Sequence, residues 1–246
     1  MIFKNLSLQI GDTPILQNIN ATLNRGRLTA LIGRNGSGKS SLLACACGQA
    51  RYQGEILLAG ADLQTLSPKE RATQMALLPQ QLPIPSRSVR ELCALGRAPH
   101  TALSGKLTAD DRAAIQAALQ QAGMEHMADR ELPTLSGGER QRAFLAMILA
   151  QNAPLLLLDE PTTYLDMSAA AEFTALLQTL VKEQQKTVLA VFHDLNNAIA
   201  YADDLWILDQ GNLLYAGSAA DCLKTERIEK TFDVRRAQSQ ERTFFY

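Results

Sequence analysis

No uninterrupted apolar run in this chain approaches the roughly 20 residues a helix needs to cross a bilayer. The longest stretches, residues 143–150 and 155–158, fall far short, so a membrane-spanning chain is not expected. The first residues, Met1-Ile2-Phe3-Lys4-Asn5, offer no basic segment followed by an apolar core and a small-residue cleavage site. Export is not expected, and the cytoplasm is the expected compartment. Cysteine is scarce and unpatterned: Cys45, Cys47, Cys93 and Cys222 lack metal-ligand spacing, and Cys45 and Cys47 diverge on a predicted helix. Charge of one sign is also missing. With 24 Lys and Arg against 25 Asp and Glu, the net charge of −1 supplies no basic field for a phosphate backbone, which argues against nucleic acid as a partner.

What is present suits one α/β core: 246 residues, 46% of them hydrophobic. Residues 2–10 and 15–23, separated by Gly11-Asp12-Thr13-Pro14, predict an antiparallel pair. Residues 28–32 predict a strand running into a glycine loop and a helix over 39–48, and strands are expected at 55–59 and 75–78. From Ser88 to Gln151 the pattern turns helical, with cap-like pairs Ser88/Glu91 and Thr108/Asp111, as Ser67/Glu70 gives earlier. Residues 155–158 and 187–192 are apolar throughout and flank a helix over 167–183, which favours a parallel sheet covered on both faces. Asp209-Gln210-Gly211-Asn212 signals a hairpin between 205–208 and 213–216, and the remainder to Tyr246 reads as polar helix with an irregular end.

The chemistry concentrates in short motifs. Gly33-Arg34-Asn35-Gly36-Ser37-Gly38-Lys39-Ser40 fits the G-x-x-x-x-G-K-[ST] phosphate loop, between the strand and helix it requires. Its backbone N–H groups and the following helix N-terminus, through Ser41, would enclose phosphates; Lys39 would reach the β- and γ-phosphates, and Ser40 would ligate magnesium. Residues 155–158 end in Asp159-Glu160, which places Asp159 for the magnesium shell and Glu160 to polarise an attacking water. These elements alone leave a kinase, a GTPase or a recombination-type ATPase open.

Leu135-Ser136-Gly137-Gly138-Glu139-Arg140-Gln141 resembles the LSGGQ signature of ABC ATPases, with Glu139 in place of the usual glutamine. Physically it is a second anion site at a helix N-terminus. The resemblance extends to about Val234. It implies an ABC-type P-loop ATPase with a RecA-like parallel-sheet core, an N-terminal antiparallel β subdomain and a helical subdomain over about 85–151, followed by a tail over 235–246. It implies ATP and Mg2+ as ligands. It also implies a head-to-tail homodimer in which Ser136, Gly137, Gly138 and Glu139 face the γ-phosphate of the opposite protomer. Gln80 matches the Q-loop glutamine at magnesium and water, adjacent Gln81 offers another register, and the preceding strand favours Gln80. Asp166 matches the D-loop and His193 the switch histidine that aligns Glu160 with the water. Where the family often stacks an aromatic ring on adenine, this chain has Ile10, so Ile10 or Ile15 would give apolar, weakly selective contact.

Leu95-Gly96-Arg97-Ala98-Pro99-His100, Thr162-Thr163-Tyr164-Leu165-Asp166 and His193-Asp194-Leu195-Asn196-Asn197-Ala198 resemble the ATPases of ferric siderophore importers, above all for ferric citrate and enterobactin, and similarly of haem and vitamin B12 importers. That resemblance implies two transmembrane permease subunits, an extracytoplasmic substrate-binding protein, and a peripheral position on the cytoplasmic face of the inner membrane. The rival classes are a soluble ABC ATPase and a non-hydrolysing scaffold. The first usually carries tandem domains or long coiled coils, absent here; the second should have lost Lys39, Glu160 or His193, all present.

Overall fold

The structure, a computed structural model, describes residues 1–101, 106–238 and 243–245. The chain begins with β1 (Ile2–Ile10), β2 (Thr13–Thr22), β3 (Leu28–Ile32), α1 (Lys39–Ala46), β4 (Gln53–Leu58), β5 (Ala61–Asp62), α2 (Pro68–Gln74) and β6 (Met75–Leu78). Helices α3 (Val89–Gly96), α4 (Ala109–Gln121) and α5 (Gly137–Ala150) follow. The chain returns to the sheet with β7 (Leu155–Leu158), α6 (Met167–Gln184), β8 (Thr187–Val191), α7 (Leu195–Tyr201), β9 (Asp204–Asp209) and β10 (Asn212–Ser218). It finishes with α8 (Ala219–Cys222), α9 (Arg227–Phe232), β11 (Arg236–Gln238) and β12 (Thr243–Phe245). Among the described residues no helix is long and apolar enough to cross a membrane.

Strands β3, β7 and β8 are buried at every position, which is why they carry no polar alternation. They lie inside a six-stranded sheet of order β10-β9-β3-β8-β7-β6, parallel except for the edge strand β10. A second, antiparallel sheet has the order β2-β1-β4-β5. One apolar core joins the two sheets around α1, with Phe3 edge-on to Trp206 at 5.5 Å between ring centroids. Another joins the far face of the six-stranded sheet to α3, α4, α5 and α6.

The three pairs Ser67/Glu70, Ser88/Glu91 and Thr108/Asp111 all form reciprocal capping boxes, at the starts of α2, α3 and α4. Asp111 does more than cap. It also pairs with Arg97, Nε to Oδ1 at 2.9 Å, with both side chains buried, while Arg97 Nη1 donates to Ala150 O at 2.7 Å at the end of α5. Gly96 passes so close to α5 that an added Cβ would lie 2.0 Å from Met147 O. The Gly96-Arg97 pair is thus the joint that clamps α3 and α4 onto α5.

Gly96→Ala forces backbone apart and should cost on the order of 2–3 kcal/mol, read as a lower unfolding midpoint with circular dichroism; an unchanged midpoint would contradict the packing. The hydrogen bonds from Thr108, with Arg97 beside it, hold the Asp111 carboxyl down at about 2 against an ordinary 3.8. A depressed acid stabilises the fold above its unfolded value, so this contribution is complete at neutral pH and fades as pH falls from about 4 toward 2. The gap in unfolding midpoint between the unaltered chain and Asp111→Asn should therefore be constant from pH 7 to 5 and narrow below 4.

The end of the chain differs from the irregular tail expected. After the two short helices α8 and α9, β11 and β12 pair antiparallel, Arg236 opposite Phe245, and Phe245 is buried in the main core. A three-residue strand is too short to show a period, which is why the sequence pattern gave no sign of it. Cys45, Cys93 and Cys222 are buried free thiols and Cys47 is half-buried.

Candidate active site

Four neighbouring parallel strands, β3, β8, β7 and β6, end on the same edge of the sheet, and each leads into one motif: the loop 33–40, His193, Asp159-Glu160 and Gln80. Residues far apart in sequence therefore meet where the strands' carboxyl ends open to solvent.

The loop 33–40 wraps the start of α1. Gly38 caps that helix at φ +103, a left-handed conformation, and an added Cβ would lie 2.9 Å from Leu16 Cδ2, so only glycine serves there. Lys39 is buried, and its Nζ donates to Gly33 O at 2.8 Å and Arg34 O at 3.0 Å, spanning its own loop. Burial pulls the Lys39 ammonium below its ordinary value, and Glu160 and Asp159 work against that pull. An open cleft of about 400 Å3 is lined by Ile15, Asn35, Gly36, Gly38, Lys39, Ser40, Ser41 and Glu160. Ile15 lines this cleft; Ile10, at 62% exposure, stands at the β1–β2 turn.

Ser40 Oγ donates to Asp159 Oδ1 at 3.3 Å. Burial pushes the Asp159 carboxyl up; the Ser40 hydrogen bond, Lys39 and His193 oppose that shift, and Glu160 adds to it. The Ser40 hydroxyl and the Asp159 carboxylate are hard oxygen donors, the chemistry suited to Mg2+, and a cation there would favour the ionised Asp159.

Glu160 is the centre of the arrangement. Its φ of +52 places a non-glycine residue in the left-handed region, at a cost of about 1 kcal/mol or more that other contacts must hold. His193 Nε2 lies 2.7 Å from its Oε1, and Gln80 Nε2 and Thr163 Oγ1, the latter at 3.2 Å, donate to its Oε2. Gln80 is thus the glutamine that meets Glu160, while Gln81 Nε2 reaches Tyr164 Oη at 3.4 Å. Thr163 belongs to the 162–166 run that resembles importer ATPases, but nothing in the sequence assigns its hydroxyl to Glu160.

Ser136 opens α5 with another reciprocal capping box: Ser136 N–H donates to Glu139 Oε2 at 2.8 Å, and Glu139 N–H to Ser136 Oγ at 3.3 Å. Hydrogen bonding from the Ser136 backbone holds the Glu139 carboxyl below its usual range. Glutamate fills the capping role as well as glutamine does, which explains the substitution locally. The S-x-x-E spacing was available in the sequence as the signal. Asp166 caps α6 by accepting from Ala169 N–H at 2.8 Å, and beside it Tyr164 and Met167 are 68% and 86% exposed.

Comparison with known proteins shows the family. Residues 16–163 match the family model described as ABC transporter. The chain is 40% identical to the iron(3+)-hydroxamate import ATP-binding protein FhuC of Bacillus subtilis, over 94% of this chain and 87% of that protein. It is 40% identical to the hemin import ATP-binding protein HmuV of Plesiomonas shigelloides, over 93% of each. Among solved structures, an inward-facing transporter described as of metal-chelate ABC type superposes with a TM-score of 0.83 at 29% identity, covering 100% of this chain and 95% of that one. The dimeric post-hydrolysis state of the ATP-binding cassette MJ0796, bound to ADP and Pi, superposes with a TM-score of 0.76 at 26% identity, covering 89% of this chain and 98% of that one.

Proposed function

The chain belongs to the ABC transporter family as an ATP-hydrolysing, ATP-binding subunit, and on that footing we propose that it powers import of a ferric siderophore from the cytoplasmic face of the inner membrane. The observation that carries the catalytic reading is Glu160, gripped by His193 and Gln80 beside the loop that carries Lys39.

In this reading the loop 33–41 encloses the phosphates with its N–H groups, and Lys39 exchanges its carbonyl partners Gly33 and Arg34 for the β- and γ-phosphates. Ser40, Asp159 and Gln80 would hold Mg2+, which would supply charge neutralisation to the transferring phosphoryl group. Glu160 polarises the attacking water, and His193 fixes the carboxylate and contacts the γ-phosphate. In-line positioning and charge neutralisation are what phosphoryl transfer requires, so no covalent step is assigned to the protein.

Ser136, Gly137, Gly138 and Glu139 complete the site of the opposite protomer, and Asp166 with exposed Tyr164 and Met167 lies at that interface. Each site is then composite, and ATP closes a head-to-tail dimer by binding the closed state more tightly. Closure moves two transmembrane permease subunits docked on the helical subdomain, residues 85–151 of an ATPase domain over 1–234. An extracytoplasmic binding protein delivers the chelate, which never touches this chain. The hydroxamate and hemin relatives and the metal-chelate transporter support a metal chelate as cargo.

Purifying the tagged chain from detergent-solubilised membranes of its own cell, and identifying its companions by mass spectrometry, tests the reading. A polytopic permease is expected, and deletion of that permease should abolish uptake of one radiolabelled ferric siderophore. Soluble companions alone would overturn it, and a permease required for hemin but not siderophore uptake would move the cargo to haem.

A further inference from the structure

The helix that follows the switch histidine is held in place by the very end of the chain. His193 sits between β8 and α7. Upstream its position is fixed by the sheet, where Phe192 N–H donates to Leu31 O at 3.1 Å. Downstream it depends on α7, which spans only Leu195–Tyr201. A helix of two turns has little stability of its own, so its placement comes from tertiary contacts. Asp194 caps it through the N–H groups of Asn196 and Asn197, and Gln178 Nε2 donates to Tyr201 O at 2.7 Å at the other end.

The first turn is gripped from outside by β12. Asn196 Oδ1 accepts from Phe245 N–H at 2.9 Å, and Asn196 Nδ2 donates to Phe245 O at 3.3 Å, so one side-chain amide satisfies both backbone groups of one residue. Phe245 is itself anchored. Its ring is buried in the core, and the Arg236 guanidinium stands over it at 5.8 Å. Arg236 also donates to Leu223 O and Thr225 O and pairs with Glu229, tying the hairpin to the segment around α8 and α9. His193 is 44% exposed on its side chain. The path of the backbone on either side therefore governs where the imidazole can reach.

We propose that Asn196 is a positioning residue for His193: the C-terminal hairpin, acting through Asn196, fixes the first turn of α7 and so keeps the imidazole within bonding range of Glu160. This rests on the role given to His193 above. Displacing a catalytic group by a fraction of an ångström is enough to slow a reaction without altering substrate affinity.

The test compares ATP hydrolysis by the unaltered chain with that of His193→Ala, Asn196→Ala and Asn196→Asp. In parallel, ring-labelled histidine is followed by NMR, since the chain has only three histidines to assign. Asn196→Ala should lower kcat by about three- to thirtyfold with KM for ATP nearly unchanged. It should shift the His193 imidazole signals while leaving those of His100 and His126 in place. Asn196→Asp keeps the acceptor for the shorter bond from Phe245 N–H but loses the donor to Phe245 O, and should recover part of the turnover. An unchanged kcat in Asn196→Ala, a fall in kcat with His193 signals unmoved, or no recovery in Asn196→Asp would overturn the proposal. If Asn196→Ala unfolds too readily to assay, removal of residues 243–246 releases the same turn and carries the same expectations. Full turnover in His193→Ala would instead refute the role of His193 itself, separately from the hairpin.

Discussion

Glu160→Gln should lower ATP turnover by about two to four orders of magnitude while leaving ATP binding intact, the range that loss of a positioned proton acceptor produces. The amide is nearly isosteric, so the loop 33–40 keeps its shape and its Lys39. What disappears is the negative charge that accepts from Gln80 and Thr163 and faces His193. ATP then binds, closes the dimer and is not consumed, and the variant should accumulate as an ATP-bound dimer in sedimentation, with the unaltered chain returning to its starting state as ATP is spent. Turnover within a few-fold of the unaltered chain would remove Glu160 from the role of polarising water. The left-handed backbone at Glu160 adds a check: Glu160→Gln retains that conformation, so its unfolding midpoint should stay close to that of the unaltered chain.

Lys39→Ala should fail one step earlier. Its ammonium is buried against its own loop, and on nucleotide binding the same group would meet phosphate oxygens. A hydrogen bond to a charged group contributes about 1.5–3 kcal/mol, so ATP affinity should drop by about ten- to a hundredfold. Equilibrium binding of a fluorescent ATP analogue reads this directly. The two variants should therefore separate cleanly: Lys39→Ala raises Kd, and Glu160→Gln does not. Normal ATP affinity in Lys39→Ala would contradict the assignment of the loop.

Much of this site was legible in the sequence because its parts are local. The loop 33–40 carries its glycines and lysine within eight residues, and the strand 155–158 delivers its two acids at a place that parallel-sheet geometry makes predictable. Buried strands announced themselves by apolar runs, and capping boxes by their three-residue spacing. The bonds that organise Glu160 were less visible. The strand before them favours Gln80 over Gln81 in the sequence, and the fold turns Gln80 to Glu160 and Gln81 to Tyr164. Thr163 joins Glu160 through a tight turn whose geometry no composition reveals. The Arg97–Asp111 pair, the close approach of Gly96 to Met147 and the Asn196–Phe245 clamp are tertiary contacts between residues 14, 51 and 49 apart, and sequence periodicity has no access to them. Gly96-Arg97 lies in the run that resembles importer ATPases, and in the fold it clamps α3 and α4 onto α5.

In the proposed dimer neither chain owns a complete site: each phosphate loop works with the signature of its partner. Mixing two inactive variants tests this most directly. Lys39→Ala disables the loop and leaves the signature whole. Gly138→Asp puts a carboxylate into the signature's anion site at a position where an added Cβ meets only the side chains of Ala169 and Leu165 at 3.6 Å and 3.9 Å, so the fold should tolerate it. Each variant alone should hydrolyse ATP poorly. In mixed dimers the intact loop of one chain meets the intact signature of the other, and ATP hydrolysis should recover to a substantial fraction of the unaltered rate. A mixture no more active than its two components would mean that loop and signature serve the same ATP within one chain, and the composite site would be wrong.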